Sequence, residues 1–281
     1  MKETFYKPNQ RYELGLFQTI AVILKNISSS RDLIVQLFKR DYFAIYKKSY
    51  LGLSWVVISP LMGIVSWVFL QKTGLLVPGD VGIPYPAYLL MGTTMWGLFM
   101  GLFEAAGTTF ENASYLAMQV NVARESIFVK QILIHLANFM VAFTAIILIF
   151  IAFGIFPSPW ALTLPLVCLP LFFLGASLGL IHTMVTVVAP DLKKIVTVLT
   201  GLMLYTTPII YSNNVPSEFI QQIIKWNPLT YLVCSARDIV IYGRLYDTTG
   251  FFICAGASFL IFIILIRLFY LAEDKIVERM I

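Results

Sequence analysis

The sequence predicts an all-α integral membrane protein with six transmembrane helices, because the chain is apolar, poor in charge and divided into long uncharged stretches. Apolar residues make up 59% of the 281 positions, whereas Asp, Glu, Lys and Arg together make up 12%. About one quarter of the residues in a soluble domain are charged, so this composition excludes a soluble globular protein. Disordered chains are polar, so the same composition also excludes disorder.

The uncharged stretches locate the membrane spans. Asp, Glu, Lys and Arg are absent from 51–71, 81–103, 131–190, 195–217 and 248–266. One crossing takes about 20 apolar residues, so 131–190 is too long for a single helix. Gly154, Pro157 and Pro159 divide it into two. Within a membrane domain of residues 50–275, we expect spans near 51–71, 85–107, 130–153, 161–188, 195–212 and 249–270.

The basic residues set the orientation of these spans. Sixteen of the twenty Lys and Arg residues fall on the side that six crossings assign to both termini. Positively charged segments stay in the cytoplasm, so we expect both termini to be cytoplasmic in a multi-pass protein of the cytoplasmic (inner) membrane. The net charge of +5 suits an anionic inner leaflet. A nucleic-acid partner is not expected, because membrane spans follow the basic leader at once.

The residues before the first span divide into two parts. We expect 1–30 to be a cytoplasmic extension and 31–49 to be an amphipathic helix. Ile34, Phe38 and Tyr42 recur at helical spacing, with Lys39 and Arg40 on the opposite face. Such a helix lies in the membrane interface. Composition leaves open whether it is a passive anchor or a docking element for a cytoplasmic partner.

The outer segment 213–248 is not polar throughout, although it links the last two spans. Phe219, Ile220 and Ile224 form an apolar set near helical spacing, Asn227-Pro228 interrupts it, and a helical pattern resumes from Tyr231. Two short helices with a break between them predict a re-entrant hairpin, which is tolerated at membrane depth only inside protein or beside a water-filled cavity. The alternative is a pair of helices on the outer leaflet.

The motifs of several chemistries are absent from the sequence. No Lys follows a Gly, which excludes the phosphate-binding loop, and there is no H-E-x-x-H or C-x-x-C pattern. We therefore expect no catalytic residues and no metal site. Ion-coupled carriers keep charged side chains in the middle of their spans, and the spans predicted here do not. If the chain moves a substrate uphill, another polypeptide must supply the energy.

The membrane domain is rich in aromatic residues, which make up 15% of the chain. Aromatic faces stack on sugar rings without needing charge, so these side chains are candidates to line a channel. Interfacial belts and core packing are the alternative for each of them. The candidates are Trp55, Trp67, Tyr85, Tyr88, Trp96, Phe99, Tyr205 and Tyr211.

Three stretches together resemble one known family. The first begins with Leu37-Phe38-Lys39-Arg40-Asp41, continues through Tyr46 to Leu51-Gly52-Leu53-Ser54-Trp55, and ends at Pro60. The second is Tyr205-Thr206-Thr207-Pro208-Ile209-Ile210-Tyr211. The third is Trp226-Asn227-Pro228-Leu229-Thr230-Tyr231. Their order and spacing over 31–275 resemble the type-2 ABC permeases that export O-antigen, capsular polysaccharide and teichoic acid. The resemblance is to the transmembrane subunit of such exporters.

The resemblance implies partners and sites. It implies a homodimer bound to two ABC ATPase subunits, which bind ATP and Mg, while this chain carries no cofactor. The substrate would be an undecaprenyl-linked glycan. Coupling to the ATPase would involve Lys39, Arg40, Asp41, Glu111, Arg124 and Glu125, and an outer gate would involve Trp226, Asn227, Pro228 and Tyr231.

Two other functions stay open at the level of sequence. The chain could belong to an ABC exporter of a smaller lipid or drug, which the aromatic residues do not exclude. It could instead be an integral membrane glycosyltransferase or acyltransferase, which needs acid and base groups that face a cavity. Asp80, Glu218, Asp238 and Asp247 are the candidates at the outer face, and we expect them to be scattered in loops.

Overall fold

The computed structural model describes residues 14–47, 49–109 and 124–280. Within these ranges the protein is built from helices, and no strand is found there. The α-helices are α1 (Leu16–Ser29), α2 (Arg31–Lys47), α3 (Ser54–Lys72), α4 (Tyr85–Gly107), α5 (Arg124–Ala152), α6 (Leu164–Val188), α7 (Leu192–Thr206), α8 (Glu218–Trp226), α9 (Pro228–Ile241) and α10 (Thr248–Met280). A short 3₁₀ helix, Pro159–Thr163, precedes α6.

Five segments of the described chain are long and apolar enough to cross a membrane. They are Ser54–Lys72, Tyr85–Gly107, Glu125–Ala152, Pro159–Val188 and Thr248–Ala272. These agree with five of the predicted spans, and the predicted break within 131–190 is found where Gly154 adopts φ 75°. The all-helical membrane fold is thereby confirmed.

The predicted span at 195–212 is wrong at its outer end. Helix α7 has 15 residues and ends at Thr206, and Thr207–Tyr211 is not helical. Its length is about 22 Å, which is less than the hydrocarbon thickness of about 30 Å. The total of six crossings and the re-entrant placement of α8 and α9 stay predictions.

The predicted amphipathic helix is present as α2. Ile34 and Tyr42 are buried, whereas Lys39 and Arg40 are exposed on the opposite face. The buried face packs against the first turns of α5, and α1 also contacts α5. Both N-terminal helices are therefore attached to the bundle rather than separate from it.

Helix α6 is the centre of the bundle, because its two main neighbours are α4 and α10. Gly175 and Gly179 lie one turn apart on the face of α6 that meets α4. A Cβ atom at Gly175 would come within 2.9 Å of the Phe99 carbonyl oxygen, and one at Gly179 would overlap the carbonyl oxygen of Phe103. This spacing of small residues lets two membrane helices approach closely, which increases their van der Waals contact.

Replacing Gly179 by Ala should therefore push α4 and α6 apart. Overpacking a tight core costs about 1–3 kcal/mol, so we expect a lower midpoint of thermal unfolding for the purified protein. Gly256→Ala is the matched control, because it also lies within a span and its Cβ would meet nothing within 4 Å. Equal unfolding midpoints for the two variants would contradict the close approach.

Candidate functional site

The chain leaves helical conformation after α7, and side chains from α4 satisfy the exposed backbone. Tyr85 donates its hydroxyl proton to the Ile210 carbonyl at 2.8 Å. The Tyr88 hydroxyl lies 3.1 Å from the Pro208 carbonyl oxygen and 2.8 Å from that of Tyr211. Both phenol rings are buried. Because an unpaired carbonyl is costly where water is scarce, these two tyrosines stabilise the break in the helix.

Helix α9 contributes a buried ion pair to the same place. The Arg237 Nε atom donates to Asp238 Oδ1 at 3.2 Å, and Nη1 donates to the Pro208 carbonyl at 3.2 Å. The guanidinium also lies over the Tyr88 ring, 4.2 Å from its centroid. Arg237 is 3% exposed and Asp238 is 8% exposed, so each charge is stabilised by the other instead of by water.

The predicted loop position is wrong for Glu218, which is the first residue of α8, and for Asp238. Asp238 is the eleventh residue of α9 and lines a polar cavity of about 250 Å³. Asp80, Ser212 and Arg244 line the same cavity. The sequence prediction rested on the uncharged stretches, and it did not use the apolar residues on either side of this pair in α9 as a signal of burial.

The four predicted gate residues lie at and beside the turn between α8 and α9. Asn227 caps α9, since its Oδ1 accepts from the Leu229 N–H at 3.0 Å. Its Nδ2 donates to the Thr206 carbonyl at 3.1 Å and to Thr207 Oγ1 at 3.0 Å. Asn227 therefore joins this turn to the end of α7.

The other gate candidates have different surroundings. Pro228 is the first residue of α9, where its missing N–H is not needed. The Tyr231 hydroxyl donates to the Lys225 carbonyl at 2.9 Å, which holds α8 against α9. Trp226 is 88% exposed. A gating role for these residues stays a prediction.

Six of the eight channel candidates fall into two groups. Tyr85, Tyr88 and Phe99 are buried inside this chain, so their side chains support the fold. Trp55 and Tyr205 are exposed, and Tyr205 meets the edge of Trp67 with ring centroids 6.2 Å apart.

The two remaining candidates are in contact with members of these groups. Trp96 is partly buried and lies against Phe99, with ring centroids 5.3 Å apart. The Tyr211 hydroxyl donates to the Tyr205 carbonyl at 2.8 Å. A channel-lining role stays a prediction for the exposed and partly buried members of the set.

A second polar contact joins α2 to α5. Lys130 Nζ donates to Asp41 Oδ2 at 2.8 Å, and Arg40 Nε donates to Asp41 Oδ1 at 2.7 Å. Lys130 is 4% exposed, so its charge depends on this carboxylate. Sequence reasoning placed Lys130 at the edge of a span and missed its pairing, because α5 begins six residues earlier and carries it into the interface with α2.

The other coupling candidates are described only in part. The Asn26 Nδ2 atom of α1 donates to Glu125 Oε1 at 3.3 Å, so Glu125 also binds an N-terminal helix. Lys39 is exposed on α2. Only the backbone of Arg124 is described, and Glu111 lies outside the described residues.

The ion pair also sets the protonation of Asp41. Burial raises the pKa of this carboxyl, but hydrogen bonds and charge from Arg40 and Lys130 outweigh burial, and the pKa lies below its usual value. Because the folded-state pKa is the lower one, the stabilising contribution is complete above the unfolded-state pKa. It is lost as the pH falls through the folded-state pKa, so the contact persists at neutral pH.

One stretch has the letters of a hydrolase motif without its geometry. Residues Gly175-Ala176-Ser177-Leu178-Gly179 match G-x-S-x-G, which in hydrolases exposes a serine at a turn between a strand and a helix. Here the stretch lies in the middle of α6, and Ser177 is fully buried. Its glycines serve helix packing, and the match gives no support to an acyltransferase.

Comparisons with known proteins agree with this architecture. The model of the ABC-2 type transporter family matches residues 32–241. The O-antigen export system permease protein RfbA of Klebsiella pneumoniae is 26% identical over 222 residues, which cover 78% of this chain and 84% of that protein. RfbA of Myxococcus xanthus is 23% identical over 84% of this chain and 90% of its own length. The polysialic acid transport protein KpsM of Escherichia coli is 23% identical over 75% of this chain and 82% of its own length.

The buried pair of Arg237 and Asp238 allows a test of the polar cluster around the 250 Å³ cavity. Replacing Arg237 by Met leaves a buried carboxylate without its cation, and we expect a loss of about 3–5 kcal/mol in unfolding free energy. The double variant Arg237→Met, Asp238→Leu should recover part of that loss, because replacing a buried ion pair by apolar residues of similar volume often leaves stability unchanged or raises it. Arg244→Met, an exposed cation beside the same cavity, is the control. If the loss of unfolding free energy in the double variant equalled the sum of the losses in Arg237→Met and Asp238→Leu, the two charges would be independent.

Proposed function

This chain belongs to the ABC-2 type transporter family, and we propose that it is the transmembrane subunit of an ATP-driven exporter of a lipid-linked polysaccharide. The observation that carries the proposal is the similarity to O-antigen and polysialic acid transport proteins along three quarters or more of the chain. The family match begins in α2 and ends at the last residue of α9, so it includes α3 to α7 and the hairpin of α8 and α9.

The energy for export comes from a partner in this proposal. The sequence has no Gly-Lys step for a phosphate-binding loop, so ATP and Mg are bound by a separate ATPase subunit. The assembly is a homodimer of this chain with two such subunits in the cytoplasmic membrane, with both termini in the cytoplasm. The chain itself catalyses no reaction, and its cargo is a glycan on an undecaprenyl carrier.

The ATPase acts on the membrane domain through α2. The amphipathic helix presents Lys39 and Arg40 outward, and its inner face is fixed to α5 by the Asp41–Lys130 pair and by a 2.8 Å hydrogen bond from Tyr46 to Asn138. A force applied to α2 therefore reaches α5 through a polar contact that resists sliding. Apolar packing alone would allow the two helices to shift against each other more freely.

The outer end of the pathway is closed by α8, α9 and the end of α7. Asn227 and Arg237 both bond to this end of α7, so the hairpin and the break move together. The exposed aromatic residues Trp55 and Tyr205 supply faces along which uncharged sugar rings pass.

Deleting this chain tests the proposed cargo. We expect the finished lipid-linked glycan to accumulate inside the cell and to disappear from the surface, because synthesis precedes export. The glycan is measured in intact and in permeabilised cells with a glycan-specific stain. Loss of glycan synthesis would indicate a transferase instead, and normal surface glycan with a defect in drug or lipid efflux would indicate a smaller cargo.

The Lys130–Asp41 contact provides a test of coupling. Lys130→Gln and Asp41→Asn should each lower glycan export about tenfold while ATP hydrolysis by the purified complex continues, because a hydrogen bond between charged groups contributes about 1.5–3 kcal/mol and about 1.4 kcal/mol corresponds to a factor of ten. Lys25→Gln, at an exposed position of α1, is the matched control. If export and hydrolysis fell in proportion, the contact would serve assembly and not force transmission.

A further inference from the structure

We propose that a polar pocket at membrane depth binds one neutral sugar ring of the cargo, and this assignment rests on the proposed export of a polysaccharide. The Thr94 pocket has a volume of about 330 Å³ and lies between α2, α3, α4 and α5. Tyr46, Trp55, Thr94, His135 and Asn138 are among its lining residues. The volume lies at the lower end of the range of small-molecule sites, which is about 300–1,000 Å³.

Polar groups in this pocket lack partners within the described chain. The Thr94 Oγ1 atom is buried and makes no hydrogen bond there. By contrast, the hydroxyl of Thr93, which lines the same pocket, donates to the Leu89 carbonyl of its own helix at 2.7 Å. A threonine hydroxyl in a helix usually bonds back in this way, so the hydroxyl of Thr94 is an unpaired polar group in a residue that lines the pocket.

Two side chains of α5 add further hydrogen-bonding capacity. Asn138 Oδ1 accepts from the Tyr46 hydroxyl at 2.8 Å, and its Nδ2 has no acceptor among the described residues. No hydrogen bond to His135 is found in that part of the chain either. Unpaired polar groups are unfavourable at membrane depth, and native proteins keep few of them without a partner. A ligand with several hydroxyl groups would satisfy all three side chains together.

The lining residues favour an uncharged ligand. Asp, Glu, Lys and Arg are absent from the lining, whereas sites for phosphate or carboxylate groups use Arg or Lys. Trp55 and Phe139 give the pocket flat apolar walls, and 46% of Trp55 is exposed. A sugar ring has an apolar C–H face and a rim of hydroxyl groups. It matches aromatic walls and unpaired hydrogen-bonding side chains at the same time.

The pocket lies on the side from which the cargo arrives. Trp55 is the second residue of α3, and Tyr46 is near the end of α2, so both are at the cytoplasmic end of the proposed topology. His135 is about 16 Å along α5 from that end. A glycan attached to a lipid of the inner leaflet would reach this pocket before it crosses the membrane, and the pocket is therefore a loading site.

Gly97 allows the pocket to be filled without disturbing the fold. It lines the pocket, and a Cβ atom there would meet nothing within 4 Å. Gly97→Leu therefore blocks the space, and Gly256→Leu, in equally open surroundings on α10, is its control. Thr94→Val removes only the unpaired hydroxyl and keeps the shape. Thr144→Val is the control for that change, because the Thr144 hydroxyl donates to the Met140 carbonyl of α5.

Binding is measured on the complete exporter complex in lipid nanodiscs. Octyl β-glucoside below its critical micelle concentration is the sugar probe, and an alkyl phosphocholine of equal chain length is the headgroup probe. We expect octyl glucoside to produce a saturable change in tryptophan fluorescence that Trp55→Phe removes. Thr94→Val should weaken binding about fivefold, as for one lost hydrogen bond, and Gly97→Leu should abolish it. An equal response to the phosphocholine probe would overturn the sugar assignment.

Measuring glycan export in cells distinguishes failure of the loading-site proposal from failure of the proposed exporter function. We expect Gly97→Leu and Thr94→Val to reduce surface glycan while both control variants export at the wild-type rate. Normal export by Thr94→Val and Gly97→Leu would overturn the loading site and leave the exporter assignment intact. If deleting the chain left glycan export unchanged, the exporter assignment itself would fail, whatever the probes showed.

Discussion

The main chain after α7 has to find hydrogen-bond partners inside the protein, and the packing of α4, α7 and α9 depends on this constraint. Residues 207–210 are buried, so their carbonyl groups cannot be left without partners. Tyr85 and Tyr88 of α4 and Arg237 of α9 supply the donors. The carbonyl groups that follow α7 thus determine how α4, α7 and α9 pack together.

Two ion pairs in the described part of the bundle each contain a buried cation. Lys130 and Asp41 join α2 to α5, whereas Arg237 and Asp238 are neighbours in α9, and Arg237 also bonds to the Pro208 carbonyl. The expectation of uncharged spans holds for their middle parts, whereas the buried charges lie near their ends or beyond them. A charge that is fixed in a pair is poorly suited to bind and release a coupling ion. This arrangement supports an external source of energy.

The sequence predicted the elements that depend on local properties. The limits of the second span, the break near Gly154 and the amphipathic helix follow from charge gaps, helix breakers and spacing, and the structure has all three. The end of α7 at Thr206 had a local signal in Pro208, because a proline disfavours helical conformation in the residue before it, but the predicted span followed the charge gap to residue 212. The pairing of Lys130 with Asp41 was inaccessible, since the residues are 89 positions apart. For Arg237 and Asp238, the apolar residues around them in α9 were the available signal.

Glycines serve two opposite purposes in the membrane helices, and the difference determines where a ligand can bind. Gly175 and Gly179 remove side chains where α4 and α6 touch, so the space is filled by the neighbouring backbone. Gly97 lies on another face of α4, towards α3 and α5, and no atom fills the space that its missing side chain leaves. Apolar membrane proteins gain stability from close packing, so an open site lined by an unpaired hydroxyl is unfavourable unless something occupies it. Glycines of α6 thus allow close packing against one face of α4, whereas Gly97 leaves room for the proposed sugar ring on another face of α4.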